Sequence, residues 1–122
     1  MNEVQLVVQE IGGVTIANFG SSSILEAAVV DALGRQLLDL VENRARRKML
    51  LDFSRVRFLS STMLGVLLHM RKQLAAIKGR MVICGLRPEL RRVFKISKLE
   101  KLFEFYDKEE QALNSFGVYT QP

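Results

Sequence analysis

The stretch from Lys48 to Ile77, KMLLDFSRVRFLSSTMLGVLLHMRKQLAAI, decides the fold. It opens with the apolar run Met49–Leu51, which is typical of a strand that is buried on both faces. After a second short apolar run it reaches three consecutive hydroxyl residues, Ser60, Ser61 and Thr62. Apolar residues then recur at the spacing of an amphipathic helix. This order places the three hydroxyls at the start of the helix.

Strands and helices alternate through the rest of the chain. Two β-like runs, Val4–Ile11 and Val14–Phe19, flank Gly12-Gly13 and predict a hairpin. A helix is predicted from Ile24 to about Glu42, with a serine of the preceding loop available as its cap. Gly79 is predicted to end the central helix as its C′ residue. The later predicted elements are a strand at Arg80–Cys84, a helix that begins at Pro88, an edge strand at Phe103–Tyr106, and a short helix at Lys108–Asn114 with a capping box that starts at Asp107.

The order of elements indicates an α/β fold. We expect a mixed sheet of four to five strands with an N-terminal hairpin and about four helices packed on it. A length of 122 residues suits one domain, which we place at residues 1–114, followed by a flexible tail at residues 115–122. The chain shows neither a signal-peptide pattern nor an apolar run of the ~20 residues that span a bilayer. Cys84 is the only cysteine, so we expect a buried thiol and a cytoplasmic protein without membrane insertion.

The positive charge of the chain raises the question of nucleic-acid binding. The formal net charge is +5, but the basic residues are scattered, with one group after the first predicted helix and the others on two later helices. No predicted strand carries the paired aromatic residues of an RNA-binding sheet. Specific nucleic-acid binding is therefore not expected, and solvated helix faces or a basic patch for an acidic protein partner remain as alternatives.

The residues that could carry catalysis do not form a recognisable pattern. His69 is the only histidine, and it has no second histidine or cysteine at the spacing of metal ligands. It lies on the same predicted helix as the serines and cannot fold back to them as a base. Phosphate-binding glycine motifs are missing, and Asp52 is the only acid that ends a buried strand. The sequence therefore predicts neither an enzyme nor a metal site or cofactor.

The hydroxyl cluster has two interpretations on these grounds alone. One serine or threonine is enough to cap a helix, which contributes ~1 kcal/mol. The other two hydroxyls are not required to cap the helix. Capping alone, and a site of modification or ligand binding, both remain open.

The segments LLDFSRVRFLSSTMLGVLL and GRMVICGLRPELRRVFKISKLEKLFEFYDKEEQAL resemble the STAS domain of anti-sigma factor antagonists. The resemblance covers residues 47 to 114, and the N-terminal third agrees in topology only. It implies a regulatory module that binds an anti-sigma factor with serine kinase activity in a partner-switching system, where phosphorylation of one serine turns binding off. By this resemblance the phosphoacceptor is Ser61, with Thr62 as the second choice. Ser60 occupies the position of the family's aspartate, and Met63 occupies that of its first glycine.

The resemblance also implies which residues contact the partner. These are the hydroxyl cluster with Met63, and an early loop in which the family carries acids that this chain lacks: Gly20, Ser21, Ser22 and Ser23. The alternative is a STAS scaffold or complex subunit without a phospho-switch. The sequence leaves open whether the protein forms a homodimer.

Overall fold

The computed structural model describes residues 6–119, which form a mixed β-sheet with helices on both faces. The strands are β1 (Leu6–Ile11), β2 (Val14–Phe19), β3 (Ser23–Ile24), β4 (Lys48–Asp52), β5 (Phe58–Leu59), β6 (Arg80–Cys84) and β7 (Glu104–Tyr106). The helices are α1 (Ala27–Glu42), α2 (Ser61–Ala76), α3 (Pro88–Ile96) and α4 (Glu109–Ser115), with a 3-10 turn at Glu100–Leu102. This arrangement confirms the predicted α/β fold with a five-stranded sheet and four helices.

The main sheet has the strand order β1-β2-β4-β6-β7. Strand β1 is antiparallel to β2, and each of the other neighbouring pairs is parallel. Each parallel connection contains a helix, as crossover connections require. The hairpin turn has positive φ angles at Gly12 (58°) and Gly13 (85°), which is the conformation of a type I′ turn and confirms the predicted hairpin.

The central strand β4 separates two apolar clusters. Met49 and Leu51 face the larger cluster, which includes residues of α1, α2 and α3. Leu50 faces the smaller cluster, to which α4 contributes Ala112 and Leu113. Because successive side chains of a strand point to opposite faces, both faces of β4 are buried, as its continuous apolar run predicted.

Helix α1 begins later than the sequence suggested. Ile24 is fully buried in the two-residue strand β3, which pairs in parallel with β5. The helix starts at Ala27, and its N-cap is Glu26 without a side-chain capping bond, so the predicted serine cap is wrong. Leu25, which lies inside the predicted helix, is 51% exposed. Pairing with a distant strand holds this segment extended and outweighs its local helical periodicity.

The predicted ends of two later helices also need correction. Lys78, and not Gly79, adopts the left-handed conformation after α2 (φ 58°). Gly79 is needed for space, because a Cβ atom there would lie 2.8 Å from the carbonyl oxygen of Arg47. Helix α4 begins after Lys108 instead of Asp107, and the Lys108 N–H donates to the Gln111 side chain at 3.3 Å.

The predicted flexible tail is ordered over its first residues. Ser115 ends α4 and donates its hydroxyl to the carbonyl of Ala112 at 2.6 Å. The Val118 side chain lies against Gly12 in the hairpin turn. These contacts join residues 115–118 to the rest of the fold, and the domain boundary at residue 114 stays a prediction. Val4, Gln5 and residues 120–122 lie outside the described residues.

Candidate functional site

Ser60 is the N-cap of α2. Its backbone is extended (φ −81°, ψ 158°), and its Oγ accepts a hydrogen bond from the Met63 N–H at 3.2 Å. The same N–H also donates to the Ser60 carbonyl at 3.1 Å. Ser60 is half-buried. Its hydroxyl therefore provides the capping that one of the three hydroxyls was expected to provide.

Ser61 and Thr62 are the first two residues of α2, and both are exposed. Within residues 6–119 neither side-chain hydroxyl makes a hydrogen bond to protein. The N–H groups of a helix's first turn lack partners within the helix, and its N-terminus carries the positive end of the helix dipole. A phosphate on either side chain would therefore meet a favourable electrostatic environment.

Backbone hydrogen bonds attach the serine loop to the segment that leads into α2. The Ser22 carbonyl accepts from the N–H groups of Arg57 (2.7 Å) and Phe58 (3.1 Å). The Ile24 carbonyl accepts from the Ser60 N–H at 2.9 Å. These bonds and the β3–β5 pair bring the two predicted parts of the partner surface together. Gly20, Ser22 and Ser23 are exposed there, and Ser21 is half-buried.

Met63 does not belong to this surface through its side chain. The residue is fully buried and packs in the larger core cluster. Its position follows from helix geometry, since it lies one helical turn before Leu67, which is also fully buried. The side chain of Met63 therefore faces the core, and a contact of this residue with a partner stays a prediction.

An open groove between α1 and α2 begins beside the hydroxyl cluster. It has a volume of about 560 Å³, and Ser60 and Thr62 line one end of it. Gly34 on α1 faces Val66 on α2, and a Cβ atom added at Gly34 would be in ordinary van der Waals contact with a methyl group of Val66, at 3.4 Å. No local sequence pattern predicts this groove, because it lies between two helices that are distant in the chain.

Two exposed apolar side chains lie in the segments that join at the hydroxyl cluster. Phe58 is 57% exposed in β5, and Leu25 is 51% exposed between β3 and α1. Leu25 also lines the α1–α2 groove. Local sequence does not reveal this exposure, because it depends on the pairing of β3 with β5.

The remaining chemically active side chains lie elsewhere. The Nε2 atom of His69 lies 3.0 Å from the Gln73 side chain and 3.9 Å from Glu42. Burial, together with the charges of Asp52 and Glu109, raises the pKa of the Cys84 thiol to about 12, so the thiol stays protonated at neutral pH. Within residues 6–119 His, Cys, Asp and Glu side chains do not form a group of three that could hold a metal ion.

A carboxyl pair joins the end of β4 to the start of α4. Asp52 accepts a hydrogen bond from the Ser54 N–H at 2.9 Å. Burial raises the pKa of Glu109, and a hydrogen bond with Asp52 and the negative charge of Asp52 raise it further.

None of the helices between residues 6 and 119 has the length and apolar character needed to cross a membrane.

The mixed sheet and the hydroxyl-capped central helix agree with one family. The model of the STAS domain matches residues 5–112, and the chain belongs to this family. The Bordetella bronchiseptica protein named "Putative anti-sigma factor antagonist BtrV" is 31% identical over 113 residues, which cover 93% of this chain and 95% of that protein. The predicted family is thereby confirmed.

Two solved structures show the same fold. An anti-sigma-factor antagonist (STAS) domain protein from Planctomyces limnophilus superposes with a TM-score of 0.82 at 20% identity, covering 93% of this chain and 98% of that one. The Bacillus cell fate determinant SpoIIAA in its phosphorylated form superposes with a TM-score of 0.71 at 19% identity, covering 92% of this chain and 99% of that one.

Proposed function

We propose that this protein is an anti-sigma factor antagonist that binds an anti-sigma factor with serine kinase activity, and that phosphorylation of Ser61 releases it. The proposal rests on the different environments of the three hydroxyls. Ser60 caps α2, while Ser61 is exposed at the first helical position and its hydroxyl makes no hydrogen bond within residues 6–119. Sigma factors act on transcription, so the proposal places the protein in the cytoplasm.

Ser61 is a better acceptor than its neighbours. The Ser60 hydroxyl is half-buried and accepts the Met63 N–H, so its phosphorylation would remove the cap. Thr62 is exposed but lines the α1–α2 groove. Ser61 is exposed and neither caps the helix nor lines the groove. It is therefore the first choice of phosphoacceptor, and Thr62 is the second.

A phosphate on Ser61 would change binding and leave the fold intact. At the first turn of α2 its charge is compensated by the positive end of the helix dipole. In the complex, the same group would bring nearly two negative charges into an interface that excludes water. Desolvation and like-charge repulsion would then weaken the complex, whereas the free protein would keep its stability.

We assign the binding energy to the exposed apolar side chains beside the hydroxyls. Phe58 and Leu25 flank the site and have large exposed fractions, and aromatic residues are enriched among the residues that dominate interface energies. Replacement of Phe58 by Ala should weaken kinase binding about fivefold or more. Ile96→Ala is the matched control, because Ile96 is 73% exposed on α3 and should not change affinity.

The decisive experiment is incubation with the cognate kinase and ATP, followed by mass mapping of residues 56–71. We expect one phosphate on Ser61, none in Ser61→Ala, and continued phosphorylation of a Ser60→Ala variant. Ser61→Asp should bind the kinase at least about tenfold more weakly than wild type, since like charges across an interface cost several kcal/mol. A protein that acquires no phosphate on any of the three hydroxyls would instead be a STAS scaffold or complex subunit without a switch.

A further inference from the structure

A second cleft, with a volume of about 580 Å³, lies at the opposite end of α2 from Ser61. Two chain segments supply its cationic side chains, one after α1 and one after α2. These cations are Arg44, Arg46, Arg47, Lys48, Lys78 and Arg80. The described residues that line the cleft include neither Asp nor Glu. These cations look scattered in the sequence, because the two segments are about thirty residues apart in the chain.

Backbone and side-chain hydrogen bonds hold the two cationic segments together. The Arg80 N–H donates to the Arg47 carbonyl at 2.7 Å, and the Arg47 guanidinium donates to the Lys78 carbonyl at 3.3 Å. Lys48 and Arg80 are also register partners in the β4–β6 pair. Ala45 and Lys78 adopt left-handed backbone conformations, with φ angles of 50° and 58°. Backbone hydrogen bonds therefore help to fix the shape of the cleft, which does not depend on surface side chains alone.

Internal carboxylates neutralise only part of this positive charge. Three of the arginines have acidic neighbours: Arg44 with Asp39 at 3.5 Å, Arg46 with Glu10 at 2.6 Å, and Arg80 with Glu104 at 2.7 Å. Arg47, Lys48 and Lys78 have no carboxylate within 4.0 Å among residues 6–119. The cleft therefore keeps an excess of about three positive charges.

The surroundings of the cleft argue against a compact phosphate ligand. Helices α1 and α2 end directly before the cationic segments, and Ser115 at the end of α4 also lines the cleft. Helix C-termini present carbonyl oxygens and the negative end of the helix dipole, which repel an anion concentrated at one point. The face of Phe116 is covered by the Arg80 guanidinium at 4.5 Å, so this ring is not free to stack on a base.

We propose that this cleft binds an acidic polypeptide segment of a protein partner. Carboxylates spread along an extended peptide can pair with separate cations of the two segments, whereas a compact anion would concentrate its charge at one point near the helix C-termini. Arginine guanidinium groups suit this role because they can bind carboxylates in a bidentate manner. The sixteen residues of α2 place the cleft roughly 24 Å from Ser61, so both surfaces can be occupied at the same time.

The test is the binding of a fluorescently labelled octaglutamate peptide to the full chain, measured by anisotropy at 50 mM and 200 mM salt. The double variant Lys48→Ala, Lys78→Ala should bind the peptide about fivefold more weakly than wild type, the loss expected for two exposed ion pairs at low salt. Lys72→Ala, Lys95→Ala is the control, since it removes the same charge from exposed positions outside the cleft and should leave affinity unchanged.

Three results would overturn the proposal. Equal losses in both double variants would show that only net charge matters. Tighter binding of a single-stranded DNA octamer or of inorganic triphosphate at the same cleft would assign it to phosphate chemistry. Undetectable peptide binding at 50 mM salt would show that the cleft does not bind acidic peptides. Kinase binding and Ser61 phosphorylation should be unaffected by Lys48→Ala, Lys78→Ala, so failure here is distinguishable from failure of the proposed function.

Discussion

Replacement of Ser60 by Ala should lower the free energy of unfolding by about 0.5–1 kcal/mol. The Ser60 Oγ accepts from the Met63 N–H at 3.2 Å, and that N–H also donates to the Ser60 carbonyl at 3.1 Å. Loss of an N-cap side chain typically costs about 0.5–2 kcal/mol. Because the Met63 N–H keeps its backbone acceptor, the substitution does not leave a buried donor without a partner. The expected cost therefore lies in the lower half of the usual range.

Ser61→Ala is the matched control for this prediction. Its hydroxyl is exposed and makes no hydrogen bond within residues 6–119, so its removal should change stability by less than about 0.5 kcal/mol. Urea denaturation followed by circular dichroism should show a lower midpoint for Ser60→Ala with an unchanged m-value. The corresponding fall in Tm is about 2–5 °C.

Ser60→Asp should keep the stability of the wild type. Aspartate is as good an N-cap as serine, and its charge interacts favourably with the helix N-terminus. Equal losses of stability in Ser60→Ala and Ser61→Ala would refute the assignment of the cap to Ser60, and with it the argument that leaves Ser61 free for modification.

Two further predictions concern glycines and pH. Gly65→Ala should stabilise the protein by up to about 1 kcal/mol, because nothing lies within 4 Å of the added Cβ. Gly79→Ala should destabilise it by roughly 1–3 kcal/mol, because its Cβ would lie 2.8 Å from the Arg47 carbonyl oxygen. If urea denaturation showed that both substitutions change the free energy of unfolding in the same direction, this reasoning would be contradicted. Burial and then Asp52 raise the pKa of Glu109 above its ordinary 4.5, so its ionisation weakens the fold as pH rises from about 4.5 through the raised pKa. Glu109→Gln should therefore be more stable than wild type at pH 7 but not at pH 4, and an equal advantage at both pH values would contradict the assignment.

Local sequence patterns predicted the elements whose burial is continuous. The Met49–Leu51 run and the Arg80–Cys84 run are strands with side chains in both core clusters, and each agrees with a strand of the structure. Gly12-Gly13 predicted the hairpin turn because the turn requires positive φ at both positions. In these segments, periodicity, turn chemistry and tertiary burial all favour the same structure, so a local pattern was sufficient.

Long-range pairing accounts for what the sequence did not predict. Ile24 was predicted to begin a helix, yet it is extended because Ser23–Ile24 pairs with Phe58–Leu59, some 35 residues later in the chain. The same pairing leaves Leu25 and Phe58 exposed beside the hydroxyl cluster. The α1–α2 groove and the cationic cleft each combine two distant segments. No window of local sequence contains both halves of such features.

The structure shows that a serine beside the proposed phosphoacceptor is compatible with the fold. At the position where the resemblance places the family's aspartate, Ser60 makes the capping bond to Met63 that an aspartate could also make. Serine differs from aspartate in carrying no charge. A phosphate on Ser61 would then meet the positive end of the α2 dipole without repulsion from a neighbouring carboxylate. Serine at this position therefore keeps the helix cap, and we expect it to make the helix start more favourable to a phosphate on Ser61 than an aspartate would.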